Sequence, residues 1–263
     1  MKRNLKLIYF SPTDGTKKII KAIGDVIDKN YEEFNITLPQ NRTENLKFTE
    51  NDLLIVGVPT YAGRFPKVLK EYIEKITCTN SLAIFVTTYG NRDYEDALLE
   101  LKDIFVAKGA VSLAAATFIT EHSYTNKLAT GRPNLDDLDI AHNFGTSIKN
   151  RLSEISSIAE IKPISLPGNY PYIVKTSPLS SVAPETKESC INCGICASNC
   201  PTAAIDFEDC SSIDPSKCLK CCSCIKKCPV DAKDFTDEGY LKFKGMLISK
   251  FANNICKPEL FIG

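Results

Sequence analysis

The chain has 263 residues, 43% of them hydrophobic and 24% charged, which suits one large domain or two units of ordinary size. Lysine plus arginine and aspartate plus glutamate both number 32, a balance that recruits neither nucleic acid nor an anionic membrane surface. The longest apolar run, AVSLAAATFI, is shorter than the roughly 18 residues that a membrane span needs, so no membrane insertion is expected.

The opening MKRNLKLIYFSPTDG has a basic tip but only four consecutive apolar residues, and reads as a first strand rather than a signal peptide. LKLIYF (5–10) is the β-rich run itself; SPTDGT and a helical pattern to about Asn30 follow, with NITL (35–38) as a short second strand. LLIVGV (53–58) reads as a buried strand followed by helix from about Pro66 to Ile76, and LAIFVTT (82–88) as the next strand. Leu98, Leu101, Ile104 and Phe105 recur at helical spacing. AVSLAAATFI (110–119) is a fifth strand, and the loop TEHSYTNKLATGRPN leads into a helix from about Leu135 to Ile158. Repeated strand–helix units with continuous apolar strands predict an α/β fold, a doubly wound five-stranded parallel sheet of order 2-1-3-4-5. Its ligand site belongs at the carboxyl ends of strands 1 and 3.

The loops at those ends carry distinctive chemistry. Ser11-Pro12-Thr13-Asp14-Gly15-Thr16 offers hydroxyls, a glycine and free helix N–H groups, a phosphate cradle without a Walker lysine. PTYAGRFP (59–66) and TTYGNRDY (87–94) each set a tyrosine beside a glycine, which suits stacking on a flat ring with close backbone approach. Only two histidines occur, neither in a serine–aspartate arrangement, so hydrolase chemistry is not expected.

Residues 161–186 hold Pro163, Pro167, Pro171, Pro178 and Pro184 and read as a linker that lies along the surface or tethers a mobile domain. Of twelve cysteines, one lies in the first 189 residues and eleven in the last 74, which points to a local module in a reducing cytoplasm rather than a secreted disulfide framework. Shifted by 28 residues, CINCGICASNCPTAAIDF (190–207) falls on CLKCCSCIKKCPVDAKDF (218–235). Cys190, Cys193, Cys196 and Cys200 match Cys218, Cys221, Cys224 and Cys228, while Cys222 falls on Gly194 and is left out of the ligand set. Zinc prefers two spaced pairs to such a compressed quartet. Residues 217–233 hold Lys217, Lys220, Lys226, Lys227 and Lys233 against one acid, a lopsided charge suited to orienting this unit on a partner or on the other half. After it, Phe243, Leu247, Phe251 and Ile255 form an apolar stripe that calls for burial on the first domain or on a second copy, a homodimer.

Each cysteine run, C-x2-C-x2-C-x3-C-P, resembles that of bacterial two-cluster ferredoxins. The resemblance implies two 4Fe–4S clusters, one held by Cys190, Cys193, Cys196 and Cys228, the other by Cys218, Cys221, Cys224 and Cys200. YFSPTDGTKKI, VPTYAGRFP and TTYGNRDYEDAL resemble the FMN loops of flavodoxin-like proteins over residues 4 to about 160. Together the two halves resemble the flavodoxin–ferredoxin fusion family of anaerobic bacteria and archaea. This implies a flavodoxin-like domain (1–160), the linker (161–186), a small α+β ferredoxin domain (187–238) and a helical tail (239–263). It makes Ser11, Thr13, Gly15 and Thr16 phosphate ligands, and Thr60, Tyr61, Gly63, Thr88, Tyr89, Gly90 and Asn91, with Arg64 and Arg92, the ring-binding set. Asp14 departs from the glycine common in relatives; it tolerates the left-handed conformation, but its charge beside a phosphate weakens binding. His122, Ser123, Tyr124 and Arg132 either close over the flavin or line an access channel. The expected function is cytoplasmic electron transfer among FMN, the clusters and redox partner proteins, with no substrate-specific catalytic residue. Two alternatives stand beside it: a flavin-dependent reductase of a small organic substrate, and an iron–sulfur module with an empty flavodoxin half.

Overall fold

The structure is a computed structural model and describes residues 3–175 and 181–263; Pro178 of the expected linker lies outside them. The chain opens with β1 (Asn4–Tyr9), α1 (Gly15–Ile27), β2 (Glu32–Asn35) and a short β3 (Lys47–Phe48), then enters β4 (Asp52–Pro59). A 3-10 turn and α2 (Lys70–Ile73) lead through β5 (Thr77–Cys78) to β6 (Leu82–Tyr89), α3 (Ala97–Ala107), β7 (Val111–Ile119) and α4 (Leu135–Glu154). Later come β8 (Glu185–Thr186), α5 (Ile195–Ser198), α6 (Ser223–Lys226), β9 (Lys233–Asp234), α7 (Glu238–Phe251) and β10 (Glu259–Ile262).

The main sheet has the order β10-β7-β6-β4-β1-β2, and its five parallel strands run in the expected order 2-1-3-4-5. Successive side chains of these strands feed two cores. Leu5, Leu7 and Tyr9 join Ile19, Ile20, Phe144 and Ile148 of α1 and α4 on one face, while Ile8 and Phe10 join Leu98, Leu101 and Phe105 of α3 on the other. Burial on both faces is why the strands read as unbroken apolar runs. Gly57 of β4 is required here, because a Cβ would stand 1.9 Å from Ile20 Cδ1.

Three elements differ from the sequence reading. The second strand is Glu32–Asn35 rather than NITL, an edge strand whose glutamates pair with Lys6 and Lys21. The helix expected over 66–76 is a 3-10 turn followed by one α-turn, with no side-chain cap at either start. The helix from Leu135 stops at Glu154, where Ile155 turns extended and returns its side chain to the core.

Beside the five parallel strands the sheet has a sixth, antiparallel strand at its edge, which the sequence did not announce. β10 runs antiparallel to β7, with Leu260 opposite Ala116, and continues through the Gly263 N–H to the Leu113 carbonyl at 3.0 Å. The tail thus folds back on the first domain; Leu247 is buried, whereas Ile255, past the helix end, is 88% exposed. Among the described residues no helix is long and apolar enough to cross a membrane. Removing residues 259–263 unpairs the edge of β7, at a net ~0.5–1.5 kcal/mol for each lost backbone bond. The thermal midpoint should drop by at least about 5 °C and the variant should self-associate through the bared edge, as followed by calorimetry and light scattering.

Candidate functional site

The second half of the chain repeats itself in three dimensions. Left-handed residues occur in pairs 28 apart: Asn192 and Lys220, Gly194 and Cys222, Ala203 and Asp231. Gly194 and Cys222 start the matching short helices α5 and α6. The Ala204 N–H donates to Cys200 Sγ at 3.2 Å and the Ala232 N–H to Cys228 Sγ at 3.1 Å, again 28 apart. Hydrogen bonds to ligand sulfur stabilise the thiolate form and tune a cluster's potential.

Two cavities lie within this unit. Cys190, Cys193, Cys196 and Cys228 line one, and Cys200, Cys218, Cys221 and Cys224 line the other. Each therefore gathers three cysteines of one run with the fourth of the other run. All eight are free thiols in the structure. Among the described residues no group of three or more cysteine, histidine or acidic side chains is set to hold a single metal ion. That donor set fits a cluster held at its corners. Cys222 also borders the second cavity, but its Sγ lies 3.5 Å from Tyr240 Oη and 3.6 Å from the Lys220 carbonyl, packed with Phe235 and Tyr240.

The loops of the flavodoxin-like half meet this unit directly. Asp14 is left-handed (φ 64°) at the N-cap of α1 and makes no side-chain cap, so the helix start keeps N–H groups for an anion. Ser11 Oγ accepts from the Lys17 N–H at 3.0 Å, and Thr13 and Gly15 stand half-buried in the same loop. Thr16 and Thr88 share a buried hydroxyl contact of 2.7 Å, which ties the first loop to the end of β6. Thr60 Oγ1 is buried with no partner, a polar atom in want of a ligand at the expected ring site. An open helix start and an orphaned hydroxyl at adjoining strand ends fit the phosphate and the ring of a flavin nucleotide.

Other expected ring residues have structural duties. Arg64 grips Glu100 with two bonds of 2.7 Å and donates to the Ile173 carbonyl, so it holds α3 and the linker. Arg92 pairs with Glu95. Tyr89 is buried against Tyr94 in the α3-side core. Gly63 is left-handed (φ 80°), with Glu95 where a Cβ would be. Gly90 makes room for His122, whose Cδ2 would lie 2.5 Å from a Cβ. Asn91 donates to the Phe251 and Asn254 carbonyls at 2.9 and 3.1 Å, fixing the tail across this loop. Tyr61 remains beside the second cavity: burial, and then neighbouring Cys221, Cys222 and Tyr124, push its hydroxyl well above the usual range.

The 121–134 loop packs between the halves. His122 Nδ1 accepts from the Tyr124 N–H at 3.1 Å, and burial, then Lys226 and Arg92, lower its pKa to about 4, so it is neutral at pH 7. Tyr124 contacts Tyr240 and Phe243 of α7. Arg132 holds Asp137 and the Cys256 carbonyl. Ser123 is half-buried in this loop.

Ser223 and Arg42 at the interface were not singled out from the sequence, whereas Lys226 and Lys227 belong to the basic run expected to orient this unit. Ser223 Oγ donates to the Pro12 carbonyl at 2.8 Å in a buried setting. Lys226 pairs with Glu121 at 2.6 Å, Lys227 lies 3.2 Å from Asp14, and Arg42 donates to the Pro201 carbonyl. The basic side of the cysteine unit thus meets acids of the first half. The segment after Gly168 lies along α3, where buried Asp96 accepts from the Asn169 and Ile173 N–H groups.

Residues 7–112 match the family described as a flavodoxin domain, and residues 185–206 and 211–234 match a 4Fe–4S binding domain. The chain is a flavodoxin–ferredoxin fusion. The flavodoxin domain implies FMN, and the paired motifs imply two 4Fe–4S clusters. No curated protein matches the fusion. Solved structures similar to it include a flavodoxin from the domain Archaea (16% identity, 57% of this chain and 99% of that one, TM-score 0.39). A Fusobacterium nucleatum flavodoxin bound to flavin mononucleotide is 18% identical over 57% of this chain and 98% of that one, with a TM-score of 0.39. The apo form of an NADH:FMN oxidoreductase is 18% identical over 61% of this chain and 94% of that one, with a TM-score of 0.42.

Two measurements test the site. Cys222→Ser should keep the iron of both clusters, while Cys221→Ser should lose or degrade the cluster of the second cavity; iron and sulfide analysis reads both, and the reverse pattern breaks the register. Thr60→Val should leave the flavin-free fold as stable as before or slightly more so, because it removes an unpaired buried hydroxyl. It should weaken FMN by about 5- to 12-fold in a fluorescence titration, the loss of one hydrogen bond of ~1–1.5 kcal/mol.

Proposed function

We propose that the fusion is a cytoplasmic electron carrier that links FMN to two 4Fe–4S clusters and through them to redox partner proteins. FMN takes up electrons in pairs and releases them singly, and each cluster carries one, so a chain holding both connects pair donors to single-electron acceptors.

One observation carries this reading: the second cysteine cavity and the flavin loops share an interface. Ser223, set between Cys221 and Cys224, donates to the Pro12 carbonyl in the loop that opens α1, so the residues that would hold the two cofactors are neighbours in one chain. Lys227 also answers the problem that Asp14 poses. Its ammonium, 3.2 Å away, offsets the carboxylate at the mouth of α1 and leaves the helix start favourable to a phosphate. Both groups are partly exposed, so the pair itself is worth no more than ~1 kcal/mol. The packed state of the 121–134 loop supports a carrier over a reductase: Tyr124 and Arg132 are engaged with α7 and the tail rather than lining an open substrate cavity.

Rapid anaerobic mixing of the loaded protein with a reductant tests the proposal. Flavin and cluster absorbance should change with a shared phase whose rate is independent of protein concentration. A phase that scales with concentration means that the two halves act as separate carriers. Lys227→Ala should weaken FMN by several-fold, and Asp14→Gly should tighten it, both read by titration.

A further inference from the structure

The two cysteine cavities are related by the duplication but are not equivalent. Lys233 borders the cavity of Cys190, Cys193, Cys196 and Cys228 and is 3% exposed. Its ammonium is held by Thr186 Oγ1 and the Cys210 carbonyl, at the pairing of β9 with β8. Twenty-eight residues earlier the same position is Ile205, 5% exposed, which borders the other cavity and bridges to Ile213. One cavity therefore has a fully buried cation in its wall, whereas the other has a hydrocarbon at that position and only the half-buried Lys220, whose ammonium is held on the Cys218 carbonyl and is partly screened by solvent. Asp209, the acid whose carboxyl responds to Lys233, is fully exposed and screened by solvent, so it does not cancel that charge inside the protein.

Reduction adds one electron, and one negative charge, to a cluster. A fixed positive charge in a desolvated wall lowers the cost of that addition far more than a surface lysine does. The second cavity has the flavin loops beside it, whereas the first has Cys193 exposed and Ile191 62% exposed at its rim. We propose that Lys233 makes the outer site, that of Cys190, Cys193, Cys196 and Cys228, the more easily reduced of the two, so that single electrons delivered from the flavin side collect at the solvent-facing end. This rests on the two-cluster reading and adds a direction to it.

The test is an anaerobic potentiometric titration of the full chain, loaded with both clusters, with dithionite as reductant, mediator dyes, and low-temperature EPR as readout. The wild type should show two one-electron steps separated by at least a tenfold difference in electron partition, 59 mV for a one-electron couple. Lys233→Ile, which copies the residue of the sister cavity, should move the more positive step down by at least that amount and bring the two together. Lys233→Arg keeps the charge and should keep the separation. Coincident steps in the wild type, or an unmoved positive step in Lys233→Ile with its iron intact, overturn the proposal. If Lys233→Ile loses iron, Lys233→Met is titrated in its place and read in the same way. Absence of cluster iron from the wild type would instead refute the underlying reading of the cysteines.

Discussion

The hydrogen bond from Ser223 to the Pro12 carbonyl joins the two halves at the place where both do their chemistry. It is buried and 2.8 Å long, so leaving either partner unmet would cost about 1–3 kcal/mol. Ser223 is flanked by Cys221, Cys222 and Cys224, and Pro12 lies in the loop that opens α1. Fixing this one contact sets the second cysteine cavity against the flavin loops. The ion pairs of Lys226 and Lys227 orient the contact, and the hold of Arg42 on Pro201 secures its far side. The tail closes the arrangement by crossing Asn91 and Arg132 and ending as the sixth strand of the sheet.

The duplicated unit keeps its backbone and changes its side chains where the copies have different neighbours. Gly194 becomes Cys222, which stays left-handed and turns a thiol toward Tyr240. Exposed Ile195 becomes buried Ser223, which seeks a carbonyl across the interface. Ser198 and Asn199 become Lys226 and Lys227, which face Glu121 and Asp14. Ile205 becomes Lys233. The first copy thus has the solvent-facing role and the second the docking role, although the thiolate spacing is the same in both.

Much of this was legible beforehand because it rests on short-range rules. Unbroken apolar runs such as LLIVGV mark strands buried on both faces, and a self-alignment pairs the two cysteine runs position by position without any structure. What the sequence concealed rests on contacts between distant segments. ELFI at 259–262 is four residues with no pattern until β7 presents a free edge. Glu32 and Glu33 mask an edge strand because its polarity is met by lysines on neighbouring elements. Arg64 beside a glycine suggests a ligand contact, yet Glu100 on α3 takes its Nε and Nη2 and the Ile173 carbonyl its Nη1. Lys233 against Ile205 was visible in the alignment as a mismatch, but its meaning needed the burial and the cavity.

Ser223 and Lys227 of the cluster half stand on the Pro12–Asp14 loop, so cluster loading and flavin binding should be coupled, and the coupling must run both ways. The most direct test compares FMN affinity in the intact chain carrying both clusters with that in the same chain after chelation of its iron. Loss of the clusters should release Ser223 and Lys227 from the Pro12–Asp14 loop and weaken FMN by about tenfold or more, ~1.4 kcal/mol. An FMN dissociation constant that stays the same when the iron is removed would contradict it.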